Sequence, residues 1–203
     1  MSTMANPISA KMVAELRAKT GAGMMDCKKA LEEAGGDMGK AEELLRVRYA
    51  AKAEKRADRS AAEGAIEVYL HFNGRVATMV ELNCETDFVA NTPEFKQLAK
   101  DLALHVASAR PIAVRVEDVP ADVVERERRV YTAQVAEEKK PDAVKVKIVE
   151  GKLRKFFEEQ VLLEQPFVKD DKVTVGDLVK ALSGKTGEKV EVRRFARFEL
   201  GGN

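Results

Sequence analysis

The sequence predicts an α+β protein in which three N-terminal helices precede a core where a small antiparallel sheet, a hairpin plus a C-terminal strand, is packed with helices. Three observations carry this. Apolar residues recur at helical spacing over the first 55 or so positions, the period changes to two at Gly64 around an Asn-Gly pair, and the closing segment KVEVRRFARFEL alternates again. The organisation that follows is a helical module over residues 1–55, a linker over 56–63 and a core over 64–203.

In the module, Ile8, Ser9 and Val13 read as a staple, an N-cap and its apolar partner, and Met12, Val13 and Leu16 form one stripe before TGAG ends the helix. A second helix from Met24 to Ala34 places Cys27, Ala30, Leu31 and Ala34 on one face, with Gly35 and Gly36 as C-cap residues. Asp37 caps a third, carrying Ala41, Leu44, Leu45 and Val47. Beyond it RYAAKAEKRADRSAAEG has charges and small residues but no apolar period. Six cations stand between Arg46 and Arg59 against Glu54 and Asp58, a pattern that fits a solvated helix face or, as the alternative, a patch that touches RNA.

AIEVYLHF and RVATMVELN flank Asn73 and Gly74, a hairpin signal that rests on positive φ at both central residues. Pairing His71 with Val76 puts Ile66, Val68, Leu70, Ala77 and Met79 on one face and Tyr69, His71, Val76, Thr78 and Val80 on the other. Both faces are largely apolar, whereas a sheet with one wet face alternates apolar with polar. Helices are therefore expected over one side and another cover, such as a second copy of the chain, over the other. Three helices follow: one from Thr92 and Pro93 with Phe95, Leu98, Leu102 and Val106 in register, one between Pro120 and Lys140, and one from Pro141 with Ile148, Val149, Leu153, Phe156 and Phe157. Gly151 inside the last suggests close approach by another backbone. EQVLLEQPFVKDD reads as an extended connection, Thr174 and Asp177 as a capping box for the next helix, and Val190, Val192, Ala196 and Phe198 as a strand returning to the hairpin.

Composition narrows the function. The 203 residues are 45% hydrophobic and 34% charged, with a formal net charge of +1, which argues against nucleic acid as the main partner. No run approaches the roughly 20 apolar residues of a membrane span, and MSTMANPISAK has neither an apolar leader core nor an Arg-rich transit pattern, so the chain reads as cytoplasmic. Cys27 and Cys84 form no CxxC pair, and with His71 and His105 supply no recognisable metal set or nucleophile. SGKTG at 183–187 lacks the first glycine of a phosphate loop, having Val179 there, and follows a helix rather than a strand, so no direct nucleotide binding, no cofactor and no enzyme activity are expected.

Two stretches invite a binding role. GMMDCKKAL can turn Cys27 and Leu31 inward while leaving methionine beside basic residues as an adaptable surface. In NCETDFVAN, Phe88 can staple the loop to the next helix or plug a partner's pocket; Phe95 and Leu98 already anchor that helix, which weakens the first alternative.

TGAGMMDCKKAL at 20–31, VELNCETDFVA at 80–90, VEGKLRKFF at 149–157 and LLEQPFV at 162–168 resemble the elongation factor Ts family, over nearly the whole chain. The resemblance implies a ubiquitin-associated-like N-terminal module, an α+β core, and elongation factor Tu as the partner, from which members release GDP. It implies that Thr86, Asp87, Phe88 and Val89 enter that GTPase near its magnesium site, the ring wedged between two helices, and that Arg17, Met24, Met25 and Lys28 of the module touch it too. Longer members carry a duplicated core and a protruding coiled-coil hairpin; this chain resembles the short form, which with the two apolar hairpin faces points to a homodimer.

Overall fold

A computed structural model of the protein describes residues 8–202, so the MSTMANP segment weighed above as a leader lies outside them. In chain order come α1 (Ala10–Thr20), α2 (Met24–Glu33), α3 (Met38–Glu54), β1 (Glu63–Leu70), β2 (Val76–Cys84), α4 (Asp87–Ala90), α5 (Pro93–Ala109), a 3-10 turn at Val116–Asp118, α6 (Ala121–Ala136), α7 (Asp142–Gln160), β3 (Pro166–Phe167), β4 (Asp170–Thr174), α8 (Val175–Thr186) and β5 (Val190–Glu199). The fold is α+β, with one sheet ordered β1-β2-β5 and a two-stranded sheet of β3 and β4. No helix among the described residues is long and apolar enough to cross a membrane. Packing divides the chain into two compact units, one joining the residues up to Gly64 with Asn83–Thr92 and Val179–Glu191, the other made of Ala65–Leu82, Pro93–Leu178 and the chain from Val192 onward.

In the first unit α1 to α3 close around Leu16, Cys27, Leu31, Ala41, Leu45 and Tyr49. Ser9 Oγ accepts from Met12 N–H and Asp37 Oδ1 from Lys40 N–H, the caps expected from sequence. Gly21 takes the left-handed conformation that ends α1. Tyr49 ties α3 to the start of α2: its hydroxyl accepts from Gly23 N–H and donates to Asp26, both at 3.3 Å. A Cβ at Gly184 would lie 2.5 Å from that of Tyr49, so the glycine of SGKTG is the close-packing point of α8 on α3, and it lies near the end of that helix rather than in a loop between strand and helix.

In the second unit β2 is the central strand, and Thr78 Oγ1 donates to Ala103 C=O of α5 at 2.7 Å, marking the covered face of the sheet. Thr78 and Val80 are buried there, as are Phe95, Ala99, Leu102 and Val106 of α5. The opposite face is bare: Ile66, Val68 and Leu70 are 60%, 55% and 65% exposed, and Met79 and Phe198 are exposed too. The hairpin keeps the expected pairing, His71 N–H donating to Val76 C=O at 2.9 Å, but its turn differs. Gly74 alone has positive φ, and Gly74 N–H donates to His71 C=O. Asn73 avoids the left-handed region because its Oδ1 accepts from Arg75 N–H at 3.0 Å, a local bond that a primed two-residue turn would not need.

α6 and α7 pack along each other through Val124, Tyr131, Val135, Val149, Leu153 and Phe157. α6 and α7 thus form a helical hairpin across a short loop at 137–141, built from the two helices expected between Pro120 and Lys140 and from Pro141. Gly151 needs correction, since nothing lies within 4 Å of a Cβ built there and no backbone approaches. The connection after α7 is ordered as the β3–β4 pair, and Thr174 and Asp177 form the expected capping box, Asp177 N–H to Thr174 Oγ1 at 3.0 Å and Thr174 N–H to Asp177 Oδ2 at 3.3 Å.

His105 is fully buried in this unit. Val168 N–H points at Nδ1 at 3.3 Å, which makes that nitrogen the acceptor and leaves Nε2–H to donate to Gln165 Oε1 at 2.9 Å. Gln165 in turn donates to Ala109 and Glu159 carbonyls. A second ring proton would face the Val168 N–H head-on, and burial pushes the imidazole below its usual value of 6.5. A base whose pKa falls on folding stabilises fully above the unfolded value, and that contribution is lost as pH falls below it. The thermal midpoint should therefore drop as pH goes from 7.5 toward 5.5. His105→Gln should lower stability by about 1–3 kcal/mol for the altered buried bonds while flattening that slope; equal slopes in both proteins would exclude the histidine as its source.

Candidate partner-binding site

NCETDFVAN folds as a single helical turn held at both ends. Thr86 caps it, its Oγ1 accepting from Val89 N–H at 3.4 Å. At the far side Asn91 N–H and Nδ2 both donate to Asp87 C=O at 3.0 Å, and Thr92 Oγ1 donates to Val89 C=O at 2.8 Å. Ala90 faces inward, Val89 is half-buried, and Asp87 and Phe88 face out. Phe88 is 84% exposed. A ring that far into solvent staples nothing, so the packing alternative is overturned, and the chain forgoes about 1.5–3 kcal/mol that burying it would contribute.

The base of the turn is polar and cross-linked. Asn83 Nδ2 donates to Ala61 C=O at 3.1 Å, and Cys84 Sγ donates to Thr86 C=O at 3.1 Å. Glu85 Oε1 accepts from Lys189 N–H at 2.6 Å and from Arg59 at 3.2 Å, and these donors, the Lys189 amide first, hold its carboxyl below the usual carboxylate range. Burial, reinforced by the charge on Glu188, pushes the Cys84 thiol up to about 11.

On α2, Met24 and Met25 are 57% and 63% exposed and Lys28 is exposed, while Cys27 and Leu31 are buried, the division that the spacing suggests. The two methionines and Lys28 line an apolar groove with Ile8, Val13 and Ala14. Arg17 is exposed on α1 but is not part of the groove. Of the six cations from Arg46 to Arg59, Arg48 pairs with Glu33, Lys52 with Asp26 and Arg59 with Glu85, and Arg56 donates to the Lys52 and Ser183 carbonyls. Four of the six are thus engaged within the unit. Among the described residues no three His, Cys, Asp or Glu side chains gather as a metal site.

A family model described as Elongation factor TS matches residues 1–202. The chain belongs to the elongation factor Ts family. It is 56% identical to Elongation factor Ts of Carboxydothermus hydrogenoformans over 96% of this chain and 89% of that one. It is 55% identical to Elongation factor Ts of Thermotoga petrophila, over 96% of both chains, and 55% identical to that of Anaeromyxobacter dehalogenans, over 96% of this chain and 89% of that one. The TDFV and GMMDCK segments that carry the family resemblance are thus an exposed aromatic turn and an exposed methionine groove. Sequence reading missed Glu188, Lys189 and Arg59, which brace the turn. Glu85 and Lys189 stand more than a hundred positions apart, a separation that no local pattern bridges.

Proposed function

We propose that this chain is a cytoplasmic guanine-nucleotide exchange factor that promotes GDP release from elongation factor Tu during translation, acting by binding rather than by bond chemistry. The observation that carries the proposal is Phe88, an aromatic ring held out in solvent on a turn fixed at both ends, in a member of the elongation factor Ts family. GDP in a GTPase is held by phosphate-loop amides and by magnesium, so a few ångström of displacement in the segments lining the metal removes much of its binding free energy. Phe88 enters between two helices of the partner and is stabilised by burial there, Asp87 presents a carboxylate to partner helix ends, and Thr86 and Val89 support the turn. Met24, Met25, Lys28 and Arg17 add a second contact on the same unit. By linkage the factor weakens GDP binding by the same ratio as GDP weakens binding of the factor.

The bare sheet face supports a homodimer. An antiparallel sheet tolerates water on a polar face, and the contiguous Ile66, Val68, Leu70, Met79 and Phe198 surface is better covered by a second copy. Release of a fluorescent GDP analogue from elongation factor Tu, timed with and without this chain, tests the function. Acceleration by catalytic amounts of the chain is expected; an unchanged release rate defeats it, and nucleotide binding by the chain alone would favour a hydrolase.

A further inference from the structure

We propose that Glu188, outside the exposed turn, is the positioning residue that sets the pose of Phe88. The inference rests on the exchange function proposed above. The Glu188 carboxylate gathers three donors from two consecutive residues at the foot of the turn: Glu85 N–H at 3.1 Å and Thr86 N–H at 3.0 Å on Oε2, and the Thr86 hydroxyl at 2.6 Å on Oε1. Charge-assisted bonds of this kind are shorter and about twice as strong as neutral ones. The last bond also fixes a direction. With its proton committed to the carboxylate, Thr86 Oγ1 keeps a lone pair for Val89 N–H, which closes the single turn on which Phe88 is the second residue.

Glu188 is itself held. Its backbone carbonyl accepts from the buried Ser183 Oγ at 2.6 Å, and its neighbour Lys189 gives its N–H to Glu85 at 2.6 Å. Segments 85–86 and 188–189 therefore exchange side-chain-to-backbone bonds in both directions, and Gly184 seats the helix just before them on Tyr49. A four-residue helix does not hold its shape in isolation. These bonds fix the turn at its foot as the Asn91 and Thr92 bonds fix its far end, and a wedge that is already ordered avoids immobilising a loop on docking.

The test is a double-mutant cycle on stimulated GDP release, using the full chain, with Phe88→Ala, Glu188→Ala and both together. Glu188→Ala is expected to slow release about tenfold at saturating factor, and to add less than twofold in the Phe88→Ala background, because its effect passes through the ring. A substitution that merely lowered the folded fraction would multiply with Phe88→Ala, and multiplied losses overturn the proposal. So does a Glu188→Ala chain as active as the unmodified one. Glu188→Gln keeps the length and one acceptor and carries the same cycle should the alanine variant not fold, with an intermediate loss expected. Thr86→Ser, which retains the hydroxyl, is expected to stay within about twofold of the unmodified chain, and Thr86→Val to match Glu188→Ala. If Phe88→Ala alone leaves release unchanged, the exchange reading fails first, separately from the assignment of Glu188.

Discussion

Phe88→Ala is expected to slow stimulated GDP release by roughly tenfold to a hundredfold, the equivalent of the 1.5–3 kcal/mol that a buried phenylalanine side chain contributes. The loss should appear in the rate at saturating factor as well as in the concentration needed to reach it, because the ring acts while nucleotide and factor are bound together. The thermal midpoint should not move. The ring is 84% exposed and its removal opens no cavity, while the caps at Thr86, Asn91 and Thr92 use only backbone and other side chains. Stopped-flow release of labelled GDP beside a melting curve separates the two effects. A chain that melts early and loses activity in proportion would show the aromatic to be structural after all.

The second large effect concerns the sheet. Val68→Glu should convert a dimer into a monomer at micromolar concentration, read by sedimentation equilibrium. Val68 lies in the middle of β1 between Ile66 and Leu70 on the bare face, where an isologous interface would bury the carboxylate beside apolar residues with no cation of its own. Leaving such a charge unpaired costs about 3–5 kcal/mol, and the two-fold symmetry counts it twice. Glu67, the next residue along, already turns the other way, so the substitution changes the outer face alone. An unmodified chain that stays monomeric at all concentrations, or a Val68→Glu chain that remains dimeric, would remove this face from consideration.

Much of the architecture was legible because local chemistry and tertiary packing agree. Ser9, Asp37 and Thr174 sit where a cap is needed and cap there; Leu16, Leu31 and Leu45 each lie on the apolar stripe of their own helix and are buried together. The two largely apolar faces of the hairpin led to the expectation of helices over one side, where α5 lies, and of another cover over the other. Signals failed where two local conformations compete or an element is very short. Asn73 chose a side-chain bond over the left-handed backbone its dipeptide favours, and the β3–β4 pair is too short for any period to register. At the site, TDFV and GMMDCK could be picked out, yet exposure separates a plug from a staple, and exposure belongs to the fold. The braces at Arg59, Glu188 and Lys189 left no mark, being ordinary charged residues whose importance lies in what they meet.

The two cysteines of this chain have a practical corollary. Cys27 and Cys84 are both buried, and the latter holds its proton to about 11, so neither offers a thiolate to a maleimide at neutral pH. A cysteine placed at the exposed Glu43 on α3, outside the residues proposed to touch the partner, would be the single site open to such a reagent. A dye attached there could follow docking onto a GTPase in real time, in a background that keeps both native cysteines.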